Sequence, residues 1–380
     1  MKIKLKATPE QVELIKALGS KTATVSAEAS ETFATFIGDV TQKVLKQAGT
    51  AGLIYQDSEY DEDDSPSYPL DLYYDQADGH ISIWSQSIAG GMPSNEVSGV
   101  KELKIATYRL DTAVSMLKKY ARKARLDVVS KTLEKMAQEI LVKQERNAWA
   151  VVLKALAEGS THKGRYQSGG AALRHILNAT TTNVFQVNDL NKMMTRMRRL
   201  NVSFAGGSTP DSAGLTDLFV SPEIKEQIRG FAYQPMNTRT VDGASGTPAG
   251  SSTAMPLPDG VREEIFRSAG ASEIYGVSII DLPEFGDGEK YNLLFKEFAG
   301  ATNYDSHGTF TSASDQILVG LDLSRDAFIR PVARQSEGGA TFVAQPDDQF
   351  VSRQDKVGWY GSLEESRVAL DARVLVGLIV

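Results

Sequence analysis

The residues that would have to carry chemistry in this chain are few and scattered. His80, His162, His175 and His307 stand far apart. None falls in a ligand spacing such as His-Glu-x-x-His, so they read as turn or surface residues. A Ser/His/Asp triad would need support from a Gly-x-Ser-x-Gly elbow to present the nucleophile, and the sequence has none. Cysteine is absent, which removes disulfides, thiolate ligands and a cysteine nucleophile and fits a reducing compartment. Gly19, Ser20, Lys21 and Thr22 copy the tail of a phosphate loop but lack the Gly before Lys that lets backbone amides cradle phosphate. Gly286 and Gly288 share only the first spacing of a dinucleotide fingerprint.

Two charged clusters remain. Asp57, Glu59, Asp61, Glu62, Asp63 and Asp64 offer oxygen ligands to a hard cation, yet the central Gly and terminal Glu of an EF-hand are missing. The run therefore reads as a solvated linker, because like charges repel and stay hydrated. Lys192, Arg196, Arg198 and Arg199 lie on the outer side of an amphipathic segment. The plain reading is a solvated helix face, and the alternative is contact with nucleic acid or with the acidic linker of another copy. A net charge of −7 opposes a dedicated nucleic-acid binder. Trp84, Trp149 and Trp359 read as core or interface packing. No catalytic residue, cofactor-binding residue or metal ligand is assigned, and the chain is expected not to be an enzyme.

The elements that would position these residues alternate between helical and extended patterns. Thr8 and Pro9 mark a helix start, with Pro where its missing N–H costs nothing, and the spacing predicts a helix to about residue 18. Phe33, Phe36, Ile37, Val40 and Val44 share one face of a second helix over 26–48. These opening helices read as lying on a tether, with little of their own to pack between them. Residues 70–76 and 80–86 alternate as two strands across a turn signal, and alternation resumes over 102–110. Together they describe a long projecting hairpin, which cannot stand alone in water.

Residues 126–158, unbroken by Gly or Pro, predict a helix of roughly 48 Å, with Leu126, Val129, Leu133, Met136, Ile140, Asn147 and Val151 on one stripe. A further helix is expected over 187–200, and a strand over 215–220 runs into the capped helix start Ser221, Pro222, Glu223. Residues 233–258 lack periodicity and read as a long loop. A second hairpin is expected from 274–282 and 291–298, then strands over 317–323, 328–332, 356–360 and 373–380. The fold class is α+β. No apolar run approaches the roughly 20 residues that span a bilayer, and the start lacks a signal-peptide core, so a cytoplasmic site of synthesis is expected.

This order of parts resembles the major capsid proteins of tailed bacteriophages, the Hong Kong 97 (HK97-like) fold. The likeness rests on the helical start, the projecting loop, and the spine helix introduced by residues 120–126. It also uses the strand and capped helix over 217–230 and the closing stretch from Asp347, Asp348, Gln349 and Phe350 through Trp359 to Val380. The resemblance implies an N-terminal arm (1–67) and an extended loop (82–107). It implies a peripheral domain (68–81, 108–200 and 321–371) with its spine helix at 126–158, and an axial domain (201–320 and 372–380). It further implies a homo-oligomer of hexamers and pentamers in an icosahedral virion capsid, assembled in a host bacterial cytoplasm. Double-stranded DNA would be enclosed without sequence-specific binding, with portal and scaffold or cement proteins as partners and no membrane. Lys101 and Lys104 sit at the loop's return, but no motif marks an Asn partner, so the crosslink of some members is not carried over. An encapsulin-like compartment shell is the alternative within the fold, and an enzyme with an unrecognised site is the alternative outside it.

Overall fold

The computed structural model describes residues 8–47, 49–61, 65–69, 102–123, 125–158, 174–205, 214–231, 237–240, 252–255, 260, 263, 273–302, 304, 308–324, 326–334, 341–347 and 355–380. The fold is mixed α+β, as the sequence pattern indicated. The chain forms two compact units, one of Met1–Pro69, Lys101–Trp149 and Phe328–Val368, the other of Leu70–Val100, Ala150–Ala327 and Ala369–Val380.

The first unit is organised around strand Lys356–Glu365. Strand Tyr108–Leu117 pairs antiparallel with its whole length, from Tyr108 opposite Glu365 to Leu117 opposite Lys356. Strand Phe342–Asp347 pairs antiparallel with residues 358–363. Gly361 carries no side chain because the Phe342 ring fills that place; an added Cβ would stand 2.4 Å from the ring tip. Strand Phe328–Arg334 joins through Val332 opposite Glu365. The alternation expected over 102–110 is broken into strands Glu102–Lys104 and Tyr108–Leu117. The chain turns aside between them because the Ile105 N–H donates to the Pro66 carbonyl (3.0 Å) and the Ala106 carbonyl accepts from the Ser366 hydroxyl (3.0 Å).

The opening helices correct the sequence reading. Helices Pro9–Leu18 and Ala23–Gln47 form close to the expected bounds, but they are not tethered without a body of their own. Ile15, Leu18, Phe33, Ala34 and Ile37 are buried in one core with Val332, Phe342, Val357 and Trp359. The Phe33 and Trp359 rings lie 4.9 Å apart, and the Trp359 indole N–H donates to the Ser30 carbonyl at 3.4 Å. Each large side chain so covered contributes about 1.5–3 kcal/mol. The cover comes from residues about one hundred positions later, such as Met116 and Val129, and from strands about three hundred positions later, which local periodicity does not reveal.

Helix Leu126–Glu158 has the expected bounds and 33 residues. Its buried stripe in the first unit runs Val129, Leu133, Met136, Ile140, Gln144, Ala148. Gln144, not the Asn147 that the sequence pattern pointed to, thus lies on the buried stripe, and Asn147 is half-buried. A second correction concerns the acidic run: Gln56–Asp61 is a strand, parallel to Phe328–Arg334 in the register Gln56 opposite Ile329 to Asp61 opposite Arg334. Asp57 meets Arg330 (3.2 Å) and Glu59 meets Arg334 (2.7 Å), so cross-strand cations answer two carboxylates that stay open to solvent, while Glu62, Asp63 and Asp64 lie outside the described residues.

The second unit contains a sheet in the order Ile176–Asn178, Leu375–Ile379, Ile317–Leu321, Asp217–Val220, Val277–Asp281, Glu273–Ile274. Helix Val187–Ala205 buries Leu190, Met193, Met197 and Leu200 in the same core as Leu218, Leu318, Val376 and Leu378. Helix Pro222–Gly230 starts as its sequence dictates, with the Ser221 hydroxyl accepting from the Ile224 N–H at 3.2 Å. The expected hairpin over 274–298 is corrected. Residues 290–299 form a helix that buries Tyr291, Asn292, Phe295 and Ala299, a spacing of three to four, while the hairpin closes earlier, at Tyr275 and Gly276. The expected loop over 233–258 contains a ribbon, Asn237–Thr240 against Ser252–Met255, whose threonines suit extended backbone. The strands expected over 317–323, 328–332 and 356–360 form as Ile317–Leu321, Phe328–Arg334 and Lys356–Glu365, the one expected over 373–380 is preceded by the 3-10 turn Ala372–Val374 and runs Leu375–Ile379, and strand Phe342–Asp347 forms where none was expected. The strands expected over 70–76 and 80–86 lie outside the described residues.

Candidate functional site

His175 is the histidine among the described residues, and it is buried with Nδ1 2.8 Å from the Leu375 carbonyl. His80, His162 and His307 lie outside them, as does Trp84. No group of three or more His, Asp or Glu side chains among the described residues is placed to hold a metal ion. Gly19, Ser20, Lys21 and Thr22 form the turn between the first two helices, where the Thr22 N–H is taken by the Ser20 hydroxyl at 3.2 Å. Gly286 and Gly288, both at positive φ, lead into helix Lys290–Ala299. The motif fragments therefore shape turns.

A well-connected polar group is Glu365, fully buried at the end of strand Lys356–Glu365. Its Oε2 accepts from Arg330 Nε at 2.7 Å and from Gln144 Nε2 at 2.9 Å, and its Oε1 accepts from the Tyr108 hydroxyl at 3.2 Å. Arg367 Nη2 lies 3.7 Å from Oε1, with its guanidinium over the Tyr55 ring at 4.9 Å. Burial works to lower the basicity of Arg330, but the adjacent Glu365 and Asp57 carboxylates outweigh it and hold the guanidinium protonated above its usual range. Burial pushes the Tyr55 and Tyr108 phenols up. These perturbations lead away from neutral pH, whereas a proton-transfer group needs a pKa near it. The cluster fixes charge in place and ties two strands to the long helix. The sequence signal for it was faint: Arg330 is a charged residue inside an apolar strand, while Glu365 and Arg367 sit in a polar run, Glu364 to Arg367, that reads as surface.

A second feature is a short stem. Ser67–Pro69 pairs antiparallel with Glu102–Lys104, Ser67 opposite Lys104 and Pro69 opposite Glu102. The chain leaves the first unit's described part at Pro69 and re-enters it beside the same residues. Of the loop expected over 82–107, residues 102–104 form one side of this stem, Lys104 among them, while 82–101, with Lys101, lie outside the described residues.

A third feature lies on helix Val187–Ala205. Asn188, Asn191, Lys192, Thr195, Arg196 and Arg199 border an open groove of about 370 Å³ with Leu177 at its side. Lys192 donates to the Thr180 hydroxyl at 2.6 Å and lies 3.3 Å from Asp189 Oδ1. Asp189 is buried and faces inward, accepting from the Thr180 and Gln186 N–H groups at 3.0 and 3.2 Å. Of the four cations noted in the sequence, the structure brings Lys192, Arg196 and Arg199 to one groove and leaves Arg198 out of its lining.

Comparison with protein families gives no match, and none is found among curated proteins. Among solved structures the chain is similar to the capsid of the cyanophage P-SCSP1u, at 12% identity and a TM-score of 0.48, over 86% of each chain. It is similar to the capsid of the native GTA particle at 10% identity and a TM-score of 0.48, over 87% of this chain and 90% of that one. The SrpI encapsulin complex of Synechococcus elongatus PCC 7942 follows at 11% identity and a TM-score of 0.37, over 73% and 75%. The neighbours belong to the classes that the sequence resemblance named. At such identities, and with TM-scores below 0.5, the functional reading has to stand on this chain's own residues.

Proposed function

We propose that this chain is a shell-forming protein, the major capsid protein of an icosahedral tailed-phage head that encloses double-stranded DNA. The observation that carries the reading is the stem Ser67–Pro69 with Glu102–Lys104, a root from which residues 70–101 depart and to which they return. The sequence over 70–86 has the pattern of a two-stranded ribbon, which is marginal by itself, so in this reading it takes its apolar cover from another copy. The rigid charge cluster at Glu365, built to hold strands and helix together and not to move protons, supports a mechanical role. The two opening helices do not support the reading, because they bury their apolar faces within the chain.

In this reading residues 68–81, 108–200 and 321–371, with the spine helix, serve as the peripheral domain, and 201–320 with 372–380 as the axial domain. Hexamers and pentamers close the shell, with a portal and scaffold or cement proteins as partners, in the virion after assembly in a bacterial cytoplasm. Such a protein acts by symmetric self-contact, each copy repeating the same interfaces.

The test is microscopy of the purified chain together with a variant in which a short Gly/Ser link closes the stem in place of residues 72–99. Closed particles or rings from the parent, and a folded variant that stays unassembled, are the expected pair. A parent that remains monomeric at high concentration, or a variant that still closes shells, overturns the proposal. Nuclease-protected DNA inside particles distinguishes a phage head from an encapsulin-like compartment, which would enclose a protein cargo.

A further inference from the structure

We infer that the basic turn around helix Lys118–Arg122 is a docking face for the acidic run Asp61–Asp64 of a second copy of this chain. Residues 118–125 carry Lys118, Lys119, Arg122, Lys123 and Arg125 and no acid, in a chain whose net charge is −7. Lys119, Arg122 and Lys123 are exposed. Lys21 is exposed beside them, in the turn whose Gly19 carbonyl accepts from Arg122 Nε at 2.8 Å. Arg122 meets one carboxylate, Asp355, at 3.2 Å. Lys21, Lys119 and Lys123 meet none among the described residues, and the Lys119 ammonium lies over the Tyr120 ring at 5.2 Å.

The complementary charge stands at the other end of the same sheet. Strand Tyr108–Leu117 delivers the basic turn at Leu117, opposite Lys356, while strand Lys356–Glu365 meets Phe328–Arg334 at its far end, through Glu365 opposite Val332. Those ends are about 30 Å apart at the usual strand rise. Asp61 closes strand Gln56–Asp61 opposite Arg334, two residues past Val332. It is exposed and, unlike Asp57 and Glu59, has no cation among the described residues. Glu62, Asp63 and Asp64 follow it before Ser65. Three residues reach at most about 10 Å from Asp61, too short to bring the run to its own basic turn, more than about 20 Å away along the strands. Charges that cannot meet within one copy can meet between two, and each copy carries one face of each sign. Opposite faces steer the encounter and fix its register. Asp61, Lys119 and Lys123 are open to solvent, so the contact weakens as salt rises.

The contact deepens the shell reading, on which it rests for a supply of neighbouring copies, and the experiment separates the two. Nuclease-treated full chain, half of it isotopically labelled, is coupled with a zero-length carbodiimide. Linked peptides are identified by mass spectrometry, and the same samples are examined for particles. Expected are mixed-label links from residues 61–64 to Lys119 or Lys123, fading between about 50 and 500 mM salt. K21E/K119E/K123E, all at exposed positions, is expected to keep the parent's melting temperature and to need about tenfold more protein to associate, as is E62K/D63K/D64K. The chain with all six changes again presents opposite charges and is expected to associate better than either set alone. Particles without those links, links to Lys192 in their place, or a six-change chain no better than either set overturn the contact and leave the shell standing. Links in small oligomers that never close keep the contact and overturn the shell. A parent that is monomeric throughout overturns both. Association that requires added duplex DNA, without the links, assigns the basic turn to nucleic acid and overturns the contact.

Discussion

In the second unit, strands Ile317–Leu321 and Leu375–Ile379 are buried at every position, whereas strand Tyr108–Leu117 of the first unit alternates exposed and covered residues for most of its length. The two sheets use different means of cohesion. Where both faces are covered, the sequence becomes a continuous apolar run, Ile-Leu-Val-Gly-Leu or Leu-Val-Gly-Leu-Ile. Where one face is open, the run alternates, and Arg109, Asp111 and Tyr360 form a polar cluster on the exposed side. The first unit has a buried carboxylate, Glu365, shared by Arg330 from another strand and by Arg367, whereas the second unit's buried pair, Asp371 with Arg373 at 2.9 Å, joins residues two apart. In one region the buried charge is a rivet between separate strands, and in the other the Asp371 pair stays local.

That contrast can be broken by substitution, from the largest expected effect downward. Glu365→Ala leaves Arg367 buried without its carboxylate and Arg330 with Asp57 as its one described carboxylate partner, and is expected to cost about 3–5 kcal/mol. Hydrogen exchange should show the loss in Gln56–Asp61 and Phe328–Arg334; unchanged protection there would mean that the rivet is dispensable. Leu378→Ala, at a fully buried position of the second sheet, is expected to cost about 3 kcal/mol through lost contact and a residual cavity. Its exchange signature should fall on Ile317–Leu321 and Asp217–Val220.

Asp281→Asn removes the half-open pair with Lys225 and is expected to cost under about 1 kcal/mol after solvent screening. The Lys225 ammonium hydrogen bond holds the Asp281 carboxyl below its usual 3.8. The pair's stabilisation is therefore present above that pH and is lost as pH falls through the lower folded value. Thermal melts of parent and variant should differ by a constant amount near neutral pH and converge in acid. Ser115→Val, on the open side of Tyr108–Leu117, is expected to change stability by no more than about 0.5 kcal/mol. A larger loss would show that this side is covered.

The helices were the legible part of the fold, because a 3.6-residue stripe is written within the segment that forms it. Leu126–Glu158 illustrates this, and so does its one surprise: Gln144 occupies the buried stripe because its partner, Glu365, lies 221 residues away. Strand Gln56–Asp61 was illegible for the same reason, since its carboxylates are answered by arginines from the far end of the chain. Helix Lys290–Ala299 was misread because Tyr291, Leu293, Phe295 and Ala299 also satisfy alternation, and only the buried positions separate the two periods. The groove was visible in the sequence as a basic cluster, but its concavity and the exclusion of Arg198 required the tertiary structure.

The parallel pairing of Gln56–Asp61 with Phe328–Arg334 has a consequence during synthesis. Asp57 must wait for Arg330, 273 residues downstream. At the usual pace of translation this is a delay of roughly 15–55 s. Until then the two opening helices can meet Met116, Val129 and Leu133 but lack the part of their cover that Val332, Phe342, Val357 and Trp359 supply, which makes the nascent chain a natural client for a chaperone and ties its yield to elongation speed.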